Sequence, residues 1–304
     1  MPRIVFMAGL FFCLTTLASP PLALALGLVM AFTVGHPFKQ FNGRVIKYLL
    51  QVSVIGLGFG LNFGEVVNAG KTGILFTVVS ILGTLIVGYL IGKWMSINQK
   101  TSYLISTGTA ICGGSAIAAI APIIDADENE VAIALGTVFI LNSVALFLFP
   151  PLGHYLGLTM KQFGMWSAIA IHDTSSVVGA AARYGDEALK IATTVKLTRA
   201  LWIIPVALGT AIALKNRAAK IQFPYFILGF IGASLCVTFL PGFRPVYAGF
   251  VQVAKIGLTI TLFLIGSGLS RETLKAVGVR PVVQGVILWG IISVVSLLAV
   301  QSIL

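Results

Sequence analysis

Charge is what this chain has least of. Only 10% of its residues are Asp, Glu, Lys or Arg, and the acids number 9 among 304 residues. A soluble domain carries about 25% charged residues, so this chain cannot cover a water-facing surface. Cysteine and histidine are as scarce, at 3 each. Cys13, Cys112 and Cys236 sit in apolar segments without metal-ligand spacing, which argues against a disulfide framework and a zinc site. There is no GxSxG, no phosphate loop and no nucleophile–base pair, so neither an enzyme nor a cofactor is expected.

What the chain does have is apolar length. It is 58% hydrophobic, with a mean hydropathy of +1.01. The apolar runs are continuous, whereas barrel strands would alternate apolar and polar residues. The expected class is an all-α, polytopic membrane protein forming a single transmembrane domain over 1–304. The net charge of +11 is then read as loop residues on the cytoplasmic side of a membrane, not as a nucleic-acid surface.

Eleven apolar segments can be marked: 4–18, 20–35, 45–62, 72–92, 101–124, 130–150, 163–183, 191–214, 223–240, 248–268 and 282–303. The first, within MPRIVFMAGLFFCLTTLASPP, has the outline of a signal peptide. In a multispanning chain it reads as a first span. If all eleven cross, the N-terminal side carries thirteen loop bases and the other side four, Lys71, Arg183, Lys190 and Arg244. Seven acids, among them Asp125, Asp127, Glu128 and Glu130, share that second side. This predicts a cytoplasmic N-terminus and an external C-terminus in the inner (plasma) membrane.

An internal repeat is also legible. Shifted by 208 residues, 45–70 lies on 253–278, matching Lys47 with Lys255, Gly58 with Gly266 and Gly60 with Gly268. These segments would cross in opposite directions, as in the inverted repeats of secondary transporters.

Two segments are interrupted. AICGGSAIAAIAP, at 110–122, places Gly113 and Gly114 midway between Lys100 and Asp125, with Gly108 just before. Glycine costs about 1 kcal/mol relative to alanine inside a helix. Unwound chain at membrane depth persists only where it lines a cavity. The pattern predicts a discontinuous helix whose second half starts at Ser115. Its free N–H groups, with Thr107, Thr109 and Cys112 nearby, would face an anion. The second segment, AIAIHDTSSVVGAA at 168–181, holds His172 and Asp173 deep in an apolar run, followed by Thr174, Ser175 and Ser176. An intramembrane carboxylate needs a partner or a function. The next span supplies Lys196 and Arg199, three apart. Lys196 is read as able to snorkel outward, and Arg199, deeper, as the partner of Asp173.

Two bases against one acid leave positive charge, which favours an anionic ligand. Substrate contacts are expected from Thr109, Cys112, Gly113, Gly114, Ser115, Thr174, Ser175 and Arg199, and coupling or gating from His172, Asp173 and Lys196. The expected partners are a small inorganic or organic anion and membrane lipid, with no nucleic acid and a homodimer left open. His36 and His154 are read as interfacial, and Lys255 as snorkelling. Rival functions are a cation–proton antiporter working through Asp173 and a passive anion channel.

TGTAICGGSAIAAIAP at 107–122, DADENE at 125–130 and IHDTSSVVGAA at 171–181 together resemble the YeiH family of bacterial inner-membrane proteins, conserved hypotheticals named for sulfate export. The resemblance runs along nearly the whole chain. It implies export of a small oxyanion such as sulfate, on a fold related to other inverted-repeat transporters. Segments 5 and 7 would cross in the same direction, whereas such transporters cross two antiparallel broken helices, so the alternative to eleven crossings is a re-entrant segment.

Overall fold

The computed structural model describes residues 2–15, 18, 20–35, 37–214, 225–268 and 278–303. Every regular element among them is helical. The order is α1 (Pro2–Cys13), α2 (Pro20–Thr33), α3 (Lys39–Gly58), α4 (Phe63–Trp94), α5 (Gln99–Ala110), α6 (Gly114–Ile120) and α7 (Glu128–Tyr155). Then follow α8 (Met160–Ala170), α9 (Thr174–Tyr184), α10 (Asp186–Ala200), α11 (Ile203–Ala213), α12 (Tyr225–Phe239), α13 (Arg244–Gly268) and α14 (Val279–Ile303).

Among the described residues, 5 stretches are long and apolar enough to cross a membrane by length and composition: Thr77–Trp94, Asn129–Tyr155, Asp186–Ala213, Pro241–Gly268 and Val279–Ile303. The polar residues between helices largely serve as caps. Asn62 with Glu65, Asp127 with Glu130, and Thr159 with Gln162 form reciprocal capping boxes that start α4, α7 and α8. Two acids of the turn at 125–130, Asp127 and Glu130, are thereby explained locally.

The chain path departs from the eleven-crossing expectation at segments 5 and 7. A straight run from 99 to 120 would extend about 33 Å at 1.5 Å per residue. Instead Lys100 Nζ donates to the Asp125 carbonyl at 2.5 Å, so both ends of segment 5 lie together. Gly108 packs on Ile117, across the fold-back. Segment 7 does the same. The Tyr184 hydroxyl donates to the Leu158 carbonyl at 2.5 Å, and the Phe163 and Tyr184 rings stack at 3.8 Å. A segment that returns to its starting end does not cross. Segments 5 and 7 are therefore helical hairpins, α5–α6 and α8–α9. Each turns over three residues, 111–113 and 171–173, placed sixty residues apart.

α7 joins the two hairpins. Its 28 residues extend about 42 Å, so the first hairpin starts at one end of α7 and the second at the other. Their tips meet between. α10 then runs beside α8 in the same direction: Gly164 faces Ala188 and Ile191, and Lys196 reaches the carbonyls of Ala168 and Ile171. α14 lies along both hairpins. Gln284 Nε2 donates to Ser102 Oγ at 2.7 Å, and Trp166 Nε1 donates to the Ser293 carbonyl at 2.9 Å.

The basic loops expected at 215–220 and 271–275 lie outside the described residues, as does His36. So does 269–277, the end of the repeat proposed over 253–278.

Candidate functional site

Where the tips meet, four helix ends converge. α5 and α8 bring their C-terminal ends, which carry unpaired carbonyls and partial negative charge. Two cations of α10 meet them. Arg199 Nε donates to the Ala110 carbonyl at 2.6 Å and Nη1 to the Ile169 carbonyl at 2.6 Å, so one guanidinium ties the last turns of both hairpin arms. Lys196 Nζ donates to the Ile171 carbonyl at 2.8 Å. Both side chains are fully buried at 0% exposure. Lys196 thus does not snorkel as expected. Its ammonium turns inward because an orphaned helix-end carbonyl lies within its reach.

The expected Asp173–Arg199 pair does not form. Asp173 is instead the N-cap of α9: Oδ2 accepts from the backbone N–H of Ser175 at 3.0 Å and of Ser176 at 3.3 Å. It also accepts from the Ser175 hydroxyl. That contact occupies the hydroxyl of Ser175, which had been expected to face a ligand. The capping geometry wins because the carboxylate follows the turn directly, and helix N-termini favour anions. Thr174 is buried at the first position of α9.

The first hairpin differs at the equivalent position. Gly113 caps α6 with φ of 64° and no side-chain bond. A Cβ there would lie 3.4 Å from Asp173, so the two tips touch at these residues. α6 starts at Gly114, one residue before the expected Ser115. Cys112 and Gly113 are buried, Gly114 is half-buried and Ser115 is exposed. Only the buried part of that predicted set packs into the junction.

Several buried polar atoms around the tips lack a partner among the described residues: Arg199 Nη2, Thr109 Oγ1 and both ring nitrogens of His172. Gathered here are thus Thr109, Cys112, Gly113, His172, Asp173, Thr174, Lys196 and Arg199.

One organising residue escaped the sequence reading. Asn142, in the middle of α7, accepts through Oδ1 from the backbone N–H of His172 at 3.1 Å and of Asp173 at 3.2 Å. It fixes the second tip, and its Nδ2 is buried without a partner among the described residues. The signal was a lone amide in FILNSVALF. A second unforeseen feature adjoins Arg199. α10 ends at Ala200 and α11 begins at Ile203, with Trp202 N donating to the Arg199 carbonyl at 3.0 Å. Pro205 has no N–H to continue the ladder, so the helix tightens beside its buried cation. No group of His, Cys, Asp and Glu among the described residues is arranged to hold a metal ion.

Facing helical hairpins with buried cations at their tips, set among long apolar helices, define a helical membrane protein with a polar centre. The chain matches the family described as Conserved hypothetical protein 698 over residues 4–285. It is 55% identical over 281 residues to a UPF0324 membrane protein of Bacteroides thetaiotaomicron, covering 92% of this chain and 85% of that one. A UPF0324 membrane protein of Porphyromonas gingivalis is 53% identical over 287 residues, covering 93% and 87%. One of Geobacter sulfurreducens is 49% identical over 299 residues, covering 98% and 96%. This chain belongs to that family of membrane proteins, UPF0324, which is also the YeiH family. No solved structure matches it.

Proposed function

We propose that the chain is a secondary transporter that exports a small oxyanion, sulfate or a related sulfur oxyanion, across the bacterial inner membrane by alternating access. The observation that carries this reading is Arg199. Its guanidinium joins both tips through two nitrogens and keeps the third, Nη2, buried and without a partner among the described residues. A guanidinium nitrogen in a dry site is a strong donor to an oxyanion. Lys196 and Arg199 against Asp173 leave the junction one positive charge in excess. His172, with neither ring nitrogen bonded among the described residues, stands at the same junction as the group that couples or gates.

The path of the hairpins supports the same reading. With segments 5 and 7 turning back, nine of the eleven segments are left as crossings in this reading, and five stretches among the described residues are long and apolar enough for it by length and composition. The acids at 125–130 then join the N-terminal side and Lys161 leaves it. Twelve of seventeen loop bases remain on the N-terminal side, so a cytoplasmic N-terminus and an external C-terminus still follow. Each hairpin followed by one crossing helix forms a unit, 99–155 and 159–213. Because one crossing separates them, the two units are inverted. We read this as the inverted repeat, with its site at the midplane. It differs from the pairing of 45–70 with 253–278.

The cation–proton antiporter asks Asp173 to exchange ions while its carboxylate caps α9. Thermal shift of the purified protein tests the choice. Binding stabilises by RT ln(1 + [L]/Kd), about 2.7 kcal/mol at 100 Kd. Sulfate, sulfite or a sulfonate should raise Tm above matched chloride. A rise with sodium and none with any oxyanion would favour the antiporter. Saturable flux with counterflow would set a carrier apart from a passive channel.

A further inference from the structure

A cavity of about 210 Å³ opens beside the first turns of α10, away from the hairpin tips. Asp186, Lys190 and Thr193 of α10 line it, with Val251 and Lys255 of α13 opposite and Leu61 at its edge. Lys255 Nζ meets Asp186 Oδ1 at 2.7 Å, so an ion pair crosses the mouth from α13 to α10. Lys190 has no ion pair among the described residues. The lining therefore carries one positive charge in excess.

The cavity lies at the end of the molecule where the arms of the second hairpin begin, since Asp186 follows Tyr184 by two residues. Thr193, at 1% exposure, forms its inner wall. Lys196, which holds the Ile171 carbonyl at the tip, is three residues further along the same helix. Lys190, Thr193, Lys196 and Arg199 follow at steps of three, and residues three apart are neighbours on a helix surface. A charged or hydroxyl side chain thus stands at every step from the cavity to the tips. α10 belongs to both places.

We propose that this cavity is an anion-concentrating vestibule, formed by Lys190 and Lys255 and tempered by Asp186, that leads along α10 to the tip junction. That it is the external mouth of a transport site, on the side where an exported anion leaves, rests on the oxyanion reading above. That it concentrates anions rests only on its own lining. A concave site with a net charge of one sign focuses the field and raises local counter-ion concentration, by about tenfold at the low end of the range.

The test uses the full chain, purified in detergent, with Cys236→Ser to lower background labelling. Thr193→Cys is added, a near-isosteric change. Its labelling is timed with an anionic and with a cationic methanethiosulfonate, each normalised to its rate with a free thiol. The anionic reagent should be favoured by about tenfold. Asp186→Asn should increase that preference. Lys190→Gln with Lys255→Gln should abolish or reverse it. A cysteine at 193 that reacts with neither reagent would overturn the proposal, as would a preference unchanged by the double Gln variant. If no oxyanion shifts Tm while the charge-selective labelling holds, the transport reading fails and the vestibule stands.

Discussion

Arg199 offers the sharpest perturbation. It satisfies two helix-end carbonyls at once, Ala110 and Ile169, each at 2.6 Å. Arg199→Lys keeps the charge but offers a single nitrogen, which cannot reach both carbonyls. One bond from a charged donor is lost, worth about 1.5–3 kcal/mol. Arg199→Met keeps much of the volume and removes both bonds. It leaves two buried carbonyls unpaired, at about 1–3 kcal/mol each, and relieves one buried charge. The order of stability should be parent, then Lys, then Met. At about 2–4 °C per kcal/mol for chains of 150–250 residues, the Lys variant should melt several degrees below the parent in detergent. Equal stability of parent and Arg199→Lys would refute the clamp. An Arg199→Met protein more stable than Arg199→Lys would show that the buried charge costs more than its bonds return.

Asp173→Ala should cost about 0.5–2 kcal/mol through loss of the α9 cap. Because Asp173 and Arg199 share no bond, the double Asp173→Ala, Arg199→Met variant should be additive within about 0.5 kcal/mol in thermal unfolding. A larger coupling would restore the ion pair. Gly113→Ala should destabilise by about 1–3 kcal/mol, because φ of 64° with ψ of −124° is a conformation that side chains rarely adopt. Gly114→Ala asks only that Phe139 yield slightly from 3.2 Å, so it should melt at a higher temperature than Gly113→Ala. Asn142→Leu should loosen the second tip and raise hydrogen exchange at His172 and Asp173, whose N–H groups it holds. No change in exchange would deny Asn142 that role. Cysteines at Lys100 and Asp125 should be joined by a short bifunctional thiol cross-linker, because the lysine side chain spans the gap to the aspartate carbonyl. A straight segment would hold them more than 30 Å apart at about 1.5 Å per residue, and no bridge would form.

The helical class, the two interruptions and the cluster of polar residues were legible in the sequence. Composition dictates the first, and glycines or charges inside apolar runs betray the others. The fold-back was legible only as an alternative, from the shared direction of segments 5 and 7. A broken helix that continues and one that turns back share the same residues. The choice is made by contacts between positions such as Lys100 and Asp125, or Phe163 and Tyr184, far apart along the chain. The loop charges did not expose the difference, since turning two segments back moves only Lys161 among the bases. Pairing failed for a related reason. Opposite charges suggested Asp173 with Arg199, yet each found a nearer backbone group of opposite polarity at a helix end. Lys255 was read as snorkelling, but Asp186 of α10 lies within 2.7 Å.

Radiolabelled sulfate binding to the purified full-length chain tests the central claim most directly. The account predicts saturable binding to the parent and its loss in Arg199→Lys, with the variant shown folded by its melting transition. Binding by Arg199→Lys equal to that of the parent would contradict it.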